Sequence, residues 1–201
     1  LALLELARTR AQERTYFGVG PPSFDQLDRV RSREDSETQV QNHLLSVTRI
    51  EPKRLRALRL TLGISRLRLR WTAHSGTLGG VPTIHFARWV IVKRGGTHFL
   101  LFLSNYSDSF DAYLDDFVDR FATALNLIWG PTKGYPPTHW IAGGGSRRRE
   151  EFKRYARSSQ CPTLYHYSAY PELTVDAIED QMRLRNALGG SVTDGEAARV
   201  L

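Results

Sequence analysis

Two apolar segments joined by a pair of glycines dominate the hydrophobic pattern of this chain. The first covers 84–92 (IHFARWVIV) and the second covers 99–103 (FLLFL), with Gly95 and Gly96 between them. A Gly-Gly pair supplies the positive φ angles that a tight turn requires, so the pattern predicts a β-hairpin. Both alternating faces of each strand are apolar, whereas a sheet with one solvated face shows a clean alternation. We therefore expect both faces of this hairpin to be covered.

The two faces of the first strand differ in the ionisable group that each carries. Parity places Arg88 on one face and His85 on the other. Helices can cover one face of the sheet, and a second sheet, a partner subunit or a ligand must then cover the other. Arg88 shares its face with Ile84, Phe86, Val90 and Val92, and His85 shares its face with Ala87, Trp89 and Ile91.

The segments around the hairpin predict two further strands and four helices. Glu51-Pro52 ends the first strand and opens a helix with proline in its first turn. Ser146 and Thr174 are predicted helix caps, and Ile178, Met182 and Leu188 are predicted to face inward. The predicted strands are 40–50 and 162–170, and the predicted helices are 53–71, 110–128, 146–158 and 174–188.

The order of these elements indicates the fold class and the domain boundaries. Within 39–190 it is βαββαβ with extra C-terminal helices, which is the order of a ferredoxin-like α+β fold with helices on one face of an antiparallel sheet. Such sheets commonly pair face to face, so a dimeric α+β barrel would cover the second face of the hairpin. Residues 1–38 are predicted to be an arm or linker, and 191–201 a flexible tail.

The net charge of +7 is concentrated in one segment. Residues 53–70 carry seven basic residues and no acid, and the other 21 basic residues equal the acidic ones in number. This segment reads as a cationic amphipathic helix with Leu55, Leu58, Leu62 and Leu69 inward. Its arginines either point to water or meet anionic lipid or an acidic partner, and no recognition motif points to nucleic acid. The candidate membrane or anion contacts are Arg54, Arg59, Arg66 and Arg70.

Cysteine content and hydropathy limit which disulfides, metal sites and membrane spans the chain can form. Cys161 is the single cysteine, which excludes an intramolecular disulfide and a cysteine-based metal cage. No apolar run reaches the roughly 18 residues of a membrane span. We expect a cytoplasmic protein with possible membrane association. Because the chain begins with leucine, it can be a piece of a longer protein.

Several polar side chains are candidates for a site on the sheet. The candidate catalytic residues are His85, Arg88 and His166, and the candidate cofactor contacts are His43 and Tyr165. Two of them have a structural alternative: His85 as a hydrogen-bonded core histidine, and Arg88 as the ion-pair partner of an acid near Asp108 or Asp111. The sequence has no closely spaced histidine pair, so no metal site is predicted. It also lacks nucleophile-elbow, HExxH, GxGxxG and Walker motifs, which leaves open whether the protein is an enzyme.

Four blocks of the sequence resemble a known family. VQNHLLSVTRIEP, LGGVPTIHFARWV, LLFLSNYSDSFDAYLDDFVDRF and PTLYHYSAYPELTVDAI are similar to a bacterial family of the dimeric α+β barrel superfamily, over roughly residues 38–188. Some members are labelled as relatives of the dye-decolorising peroxidases, so the resemblance implies haem as a cofactor. The Gly-x-x-Asp-Gly motif of those peroxidases is absent here, and no histidine has a matching context, so no catalytic residue carries over.

These observations favour an accessory or binding α+β domain. We expect it to associate through its sheet and the cationic helix 53–71 with a membrane surface, a larger assembly or a second copy of itself. The alternative is an oxidoreductase, either haem-dependent or a cofactor-free α+β barrel enzyme.

Overall fold

The computed structural model describes residues 40–72, 81, 83–139, 142–161, 163 and 165–189, without the side chains of 68–72. The predicted arm (1–38) and tail (191–201) lie outside the described residues. The described chain has the α+β architecture expected from the sequence. It combines an antiparallel three-stranded sheet with four α-helices.

The sheet is built around the predicted hairpin. Strands β1 (Gln41–Arg49), β2 (Ile84–Arg94) and β3 (Thr97–Ser107) pair in the order β1-β3-β2. Both neighbours of the central β3 run antiparallel to it. The turn residues Gly95 and Gly96 have φ angles of 54° and 78°, the conformation for which glycine was expected.

The helices begin near the predicted positions. Pro52–Arg54 forms a 3-10 turn that leads into α1, and the Ser109 hydroxyl caps α2 by accepting from the Ala112 amide at 3.2 Å. The Thr174 hydroxyl caps the last helix in the same way, through the Ala177 amide at 3.1 Å. The helices are α1 (Leu55–Thr72), α2 (Phe110–Trp129), α3 (Arg149–Ser159) and α4 (Val175–Gly189), and a two-stranded ribbon of β4 (Thr138–His139) and β5 (Gly143–Gly144) lies between α2 and α3.

The core lies between one face of the sheet and the helices. Tyr106 of β3 stacks on Tyr113 of α2 with ring centroids 4.2 Å apart, and Phe102 meets Trp129 edge to face at 5.0 Å. Leu58 of α1 is completely buried in the same core. We call the opposite side of the sheet the outer face. Within the single chain it is only partly covered, since Phe86 is 74% exposed there.

The loop between α2 and α3 is part of the core rather than a surface loop. Asn126 Oδ1 accepts hydrogen bonds from the Tyr135 hydroxyl at 2.6 Å and from the Ser146 amide at 2.9 Å. Ser146 was predicted to cap a helix. It is instead buried in the 3-10 turn Gly145–Arg147, and α3 begins three residues later. The Ser146 hydroxyl donates to the Ala122 carbonyl and to Asn126 Oδ1, so it does not cap the helix.

The predicted fourth strand differs from the structure. Among the described residues 163 and 165–170, none is in a strand, and only an isolated bridge joins Gln160 to Ser46. The chain nevertheless follows the edge of β1. The Cys161 amide donates to the Leu45 carbonyl at 2.7 Å, and the Val40 amide donates to the Pro171 carbonyl at 3.2 Å. Pro171 has no amide hydrogen to donate to a ladder, so regular pairing cannot continue through that residue.

The inward face predicted for α4 is also wrong. Ile178, Met182 and Leu188 are 36%, 50% and 79% exposed. The apolar side chains of this helix are spread over two sides, because Leu184 and Leu188 project away from the side of Ile178 and Met182. No single apolar stripe is therefore available for packing on the core.

Candidate functional site

The centre of the outer face is an apolar patch that crosses all three strands. Leu45 of β1 lies opposite Leu103 of β3, and Val47 lies opposite Leu101. Val90 of β2 completes the row of Leu101 on the other side. These side chains alternate with the buried ones of the same strands, which fixes their position on the outer face.

Several polar side chains lie together at one end of the outer face. His43 lies opposite Asn105, which pairs with Phe86 on its other side. The His85 Nε2 atom is 2.7 Å from the Ser107 hydroxyl, one row further along β3. The structure thus brings two of the predicted candidates, His43 and His85, to the same end of the sheet.

An irregularity in β2 positions His85. The register shifts between Ile84 and Phe86, so Ile84 is buried opposite Tyr106 while Phe86 is exposed opposite Asn105. The sequence analysis placed Ile84 and Phe86 on one face. The extra residue of the bulge overturns that assignment and leaves His85 able to reach Ser107. Burial lowers the pKa of His85, consistent with the alternative of a hydrogen-bonded structural histidine.

His166 joins the same end of the sheet from outside β1. Its ring stacks on that of His43 with centroids 4.5 Å apart and an interplanar angle of 25°. The Nε2 atom of His166 is buried and has no hydrogen-bond partner in the part of the chain that the structure describes, and burial lowers the pKa of this side chain. Tyr165, the other candidate cofactor contact, is 79% exposed.

Arg88 lies on the outer face opposite Leu103 and is exposed. The ion pair expected with Asp108 or Asp111 is not formed in the described part of the chain. Asp111 instead lies 3.4 Å from the Lys153 ammonium of α3. The candidate catalytic arginine is therefore a solvated charge next to the apolar patch.

The basic residues of α1 separate into two groups. Arg54 donates to the Gly130 carbonyl at 2.8 Å and pairs with Glu51 at 3.0 Å, so it joins the start of α1 to the end of α2. Its side chain is only 18% exposed, and it does not belong to an anion-binding surface. Arg59 and Arg66 are exposed as predicted, and the side chain of Arg70 lies outside the described residues.

The exposed side of α1 carries an apolar stripe that the sequence analysis missed. Leu60, Ile64 and Leu67 are 65%, 58% and 59% exposed, and their i, i+4, i+7 spacing places them on one line. We call these three residues the α1 ridge. It lies opposite the inward stripe of Leu55, Leu58 and Leu62, and Arg56, Arg59 and Arg66 are exposed beside it. A helical projection that separated the two leucine stripes would have revealed the α1 ridge.

The acidic side of α2 forms ion pairs with α3. Asp115 accepts from Arg149 at 3.0 Å and from Lys153 at 2.9 Å, and Arg149 also contacts Asp119. Partial burial acts to raise the pKa of Asp115, but the bonds to Lys153 and Arg149 lower it below its ordinary value. These carboxylates therefore hold two helices together rather than forming an acid/base pair.

Among the described residues, neither the cavity beneath the sheet nor the arrangement of the candidate histidines fits a haem. The cavity between the sheet and α2 and α3 has a volume of about 20 Å³, room for one water, and no candidate histidine lines it. His85 is bonded to Ser107, and His43 and His166 are stacked ring to ring. In the described ranges, no group of three or more His, Cys, Asp or Glu side chains is placed to hold a metal ion.

Comparison with known proteins adds no further assignment. No protein-family model, curated protein or solved structure matches the chain. The resemblance to α+β barrel proteins rests on the four sequence blocks alone. None of the four helices described above has the length and hydrophobicity of a membrane span.

Proposed function

We propose that this chain is a binding domain that associates with anionic membrane surfaces through α1. The observation that carries the proposal is the α1 ridge, an exposed apolar stripe with arginines beside it on a helix whose opposite side packs on the core. A helix of this kind lies in the plane of a membrane interface, with its apolar side chains among the acyl chains and its cations at the headgroups.

The apolar side chains and the arginines of α1 each suit a part of an anionic membrane surface. Leu60, Ile64 and Leu67 lose contact with water when they enter an interface, and each buried side chain of this size stabilises binding by roughly 1.5–3 kcal/mol at full burial. Arg59 and Arg66 can extend their alkyl stems along the interface and bind phosphate oxygens with two parallel hydrogen bonds. Arg54 takes no part, since its guanidinium is held by Gly130 and Glu51.

We also propose a specific topology for the α+β fold. We assign the domain to the ferredoxin-like βαββαβ topology, with the segment that follows Gln160 in the place of the fourth strand. Two features support this assignment: the antiparallel order β1-β3-β2 and the contacts of Cys161 and Pro171 with the edge of β1. The apolar outer face is suited to pairing with the same face of a second copy, as in a dimeric α+β barrel. A cytoplasmic location, at the inner membrane surface, is consistent with these contacts.

Vesicle co-sedimentation tests the membrane proposal. The chain should bind vesicles of phosphatidylcholine and phosphatidylserine and should not bind vesicles of phosphatidylcholine alone. A triple variant of α1, R56E/R59E/R66E, should lose this binding. The matched control K93E/R94E/R154E makes the same change in net charge at exposed positions of the hairpin and α3, and it should retain most of the binding. Equal loss in both variants would overturn the assignment to α1.

A further inference from the structure

The segment that follows α3 contacts β1 through a small set of hydrogen bonds between described residues. We call residues 165–173 the edge segment. The side chain of Gln41 donates to the carbonyls of Tyr170 at 3.0 Å and Leu173 at 2.7 Å, and it accepts from the Ser168 hydroxyl at 2.8 Å. One backbone bond, from Val40 to Pro171, completes this half of the contact. Of the hydrogen bonds between described residues at this contact, three of four are made by the single side chain of Gln41.

The first half of the edge segment is held by the stack of His166 on His43. The rings are nearly parallel, with centroids 4.5 Å apart. The Nε2 atom of His166 is buried and has no hydrogen-bond partner among the described residues, so a proton added there would meet no described acceptor. This stack is therefore stable with a neutral His166.

Burial is the cause of the lowered pKa of His166, and no carboxylate in the described part of the chain acts on its ring. On the outer face, Asn105 of β3 and Phe86 of β2 share the row of His43. Arg88 of β2 is in the adjacent row and would repel a second cation, and His85 on the other side is bonded to Ser107. Within the edge segment, Tyr165 and Tyr167 are exposed. The carboxylate of the edge segment, Glu172, is exposed, and the pKa of His166 is lowered by burial.

We propose that the stack of His43 and His166 is a proton-sensitive latch, and that acidification charges His166 and releases the edge segment from β1. Release uncovers the backbone of β1, a sheet edge that can then pair with another strand. This inference does not depend on the membrane proposal, since it concerns the opposite edge of the sheet from the hairpin and involves no residue of α1.

The direction of the effect follows from proton linkage. Burial lowers the pKa of His166 below its ordinary value of 6.5 when the edge segment is docked. The released segment therefore binds the proton more tightly. Docking is fully favoured above pH 6.5 and weakens as the pH falls below that value, with a slope of at most about tenfold per pH unit for one proton.

Amide hydrogen exchange measured by NMR tests the latch. The amides of Cys161 and Val40 make the two backbone bonds at the ends of the contact, so their protection factors report docking. We expect both protection factors to fall as the pH falls below 6.5, while amides in the core of β3 keep theirs. His166→Phe retains a stacking ring and cannot be protonated, so this variant should lose the pH dependence. His98→Phe, at the hairpin end of β3, is the matched control and should retain it.

Titration of the His166 ring in the unmodified chain gives a second readout that needs no variant. The latch is supported if the pKa of His166 is below 6.5 and the protection factors of Cys161 and Val40 fall over the same pH range in which His166 is protonated. Protection factors that do not change across the titration would overturn it. The same conclusion would follow if His166→Phe kept the pH dependence of the unmodified chain.

Discussion

Leu60 and Ile64 lie one turn apart on the exposed side of α1, directly across the helix from the buried Leu58. The helix therefore has two apolar stripes, one packed on the core and one in solvent. Exposed apolar side chains are ordinary when they are scattered, but a continuous stripe beside three arginines is typical of a helix that binds a membrane interface. This relationship is the basis of the proposed function.

Single arginine substitutions should reduce lipid affinity by similar steps. Each base near an anionic surface contributes about 1 kcal/mol to binding, so Arg59→Ala and Arg66→Ala should each weaken binding to phosphatidylserine vesicles about fivefold. The contribution should shrink as salt is added, because salt screens exposed charges. Arg94→Ala, on the hairpin, is the control and should leave the affinity almost unchanged. Co-sedimentation at several salt concentrations measures all three.

Two glycine substitutions should change stability in opposite directions. Gly145 has a φ of 57°, and an added Cβ would collide with the Asn126 side chain, so Gly145→Ala should destabilise the fold by about 1–3 kcal/mol. Gly63 lies inside α1 with nothing within 4 Å of an added Cβ, so Gly63→Ala should stabilise by about 0.5–1 kcal/mol. Urea unfolding measures both. A loss of stability in Gly63→Ala would mean that the surroundings of α1 are different from those described.

Removing the amide of Asn126 should loosen the loop between α2 and α3. In Asn126→Ala, the Tyr135 hydroxyl and the Ser146 amide lose their buried acceptor, which should cost about 2–4 kcal/mol. Thr123→Ala changes an exposed position of the same helix and should cost less than about 0.5 kcal/mol. Thermal unfolding of the two variants measures this difference. Equal, small losses would show that the loop does not depend on Asn126.

The pKa of His85 should stay low when its hydrogen bond is removed. Its pKa is lowered by burial, so Ser107→Ala should leave the value below 6.5 while reducing stability by about 0.5–1.5 kcal/mol. Because the unfolded chain binds this proton more tightly, the free energy of unfolding should fall as the pH drops below 6.5. NMR titration measures the pKa of His85, and urea unfolding at several pH values measures the free energy of unfolding. A return of the pKa to 6.5 in Ser107→Ala would contradict burial as its cause.

The parts of the fold that depend on local sequence signals were predictable. Gly95-Gly96 marks the hairpin turn, and Ser109 and Thr174 cap their helices as their side chains allow. The fourth strand was not predictable from its alternating pattern. Whether residues 165–170 pair as a strand depends on how many backbone bonds β1 can make with them, and that is a property of the assembled sheet.

The candidate site was predicted less well than the fold. Parity assumes an unbroken strand, so the bulge before Phe86 could not be anticipated without a glycine to mark it. Charge alone could not show that Arg54 faces Gly130 while Arg59 faces solvent. The stacking of His43 on His166 joins residues 123 positions apart, and only the assembled sheet edge brings them together.

The most direct test of the membrane proposal is the binding of a ridge variant to anionic vesicles. L60S/I64S/L67S removes the apolar stripe and keeps every arginine, and M182S/L184S/L188S removes three exposed apolar side chains from α4 as the matched control. The proposal predicts that the α1 variant binds phosphatidylserine vesicles at least about tenfold more weakly than the unmodified chain, while the α4 variant binds normally. Unchanged binding of the α1 variant, with its helix content intact by circular dichroism, would contradict it.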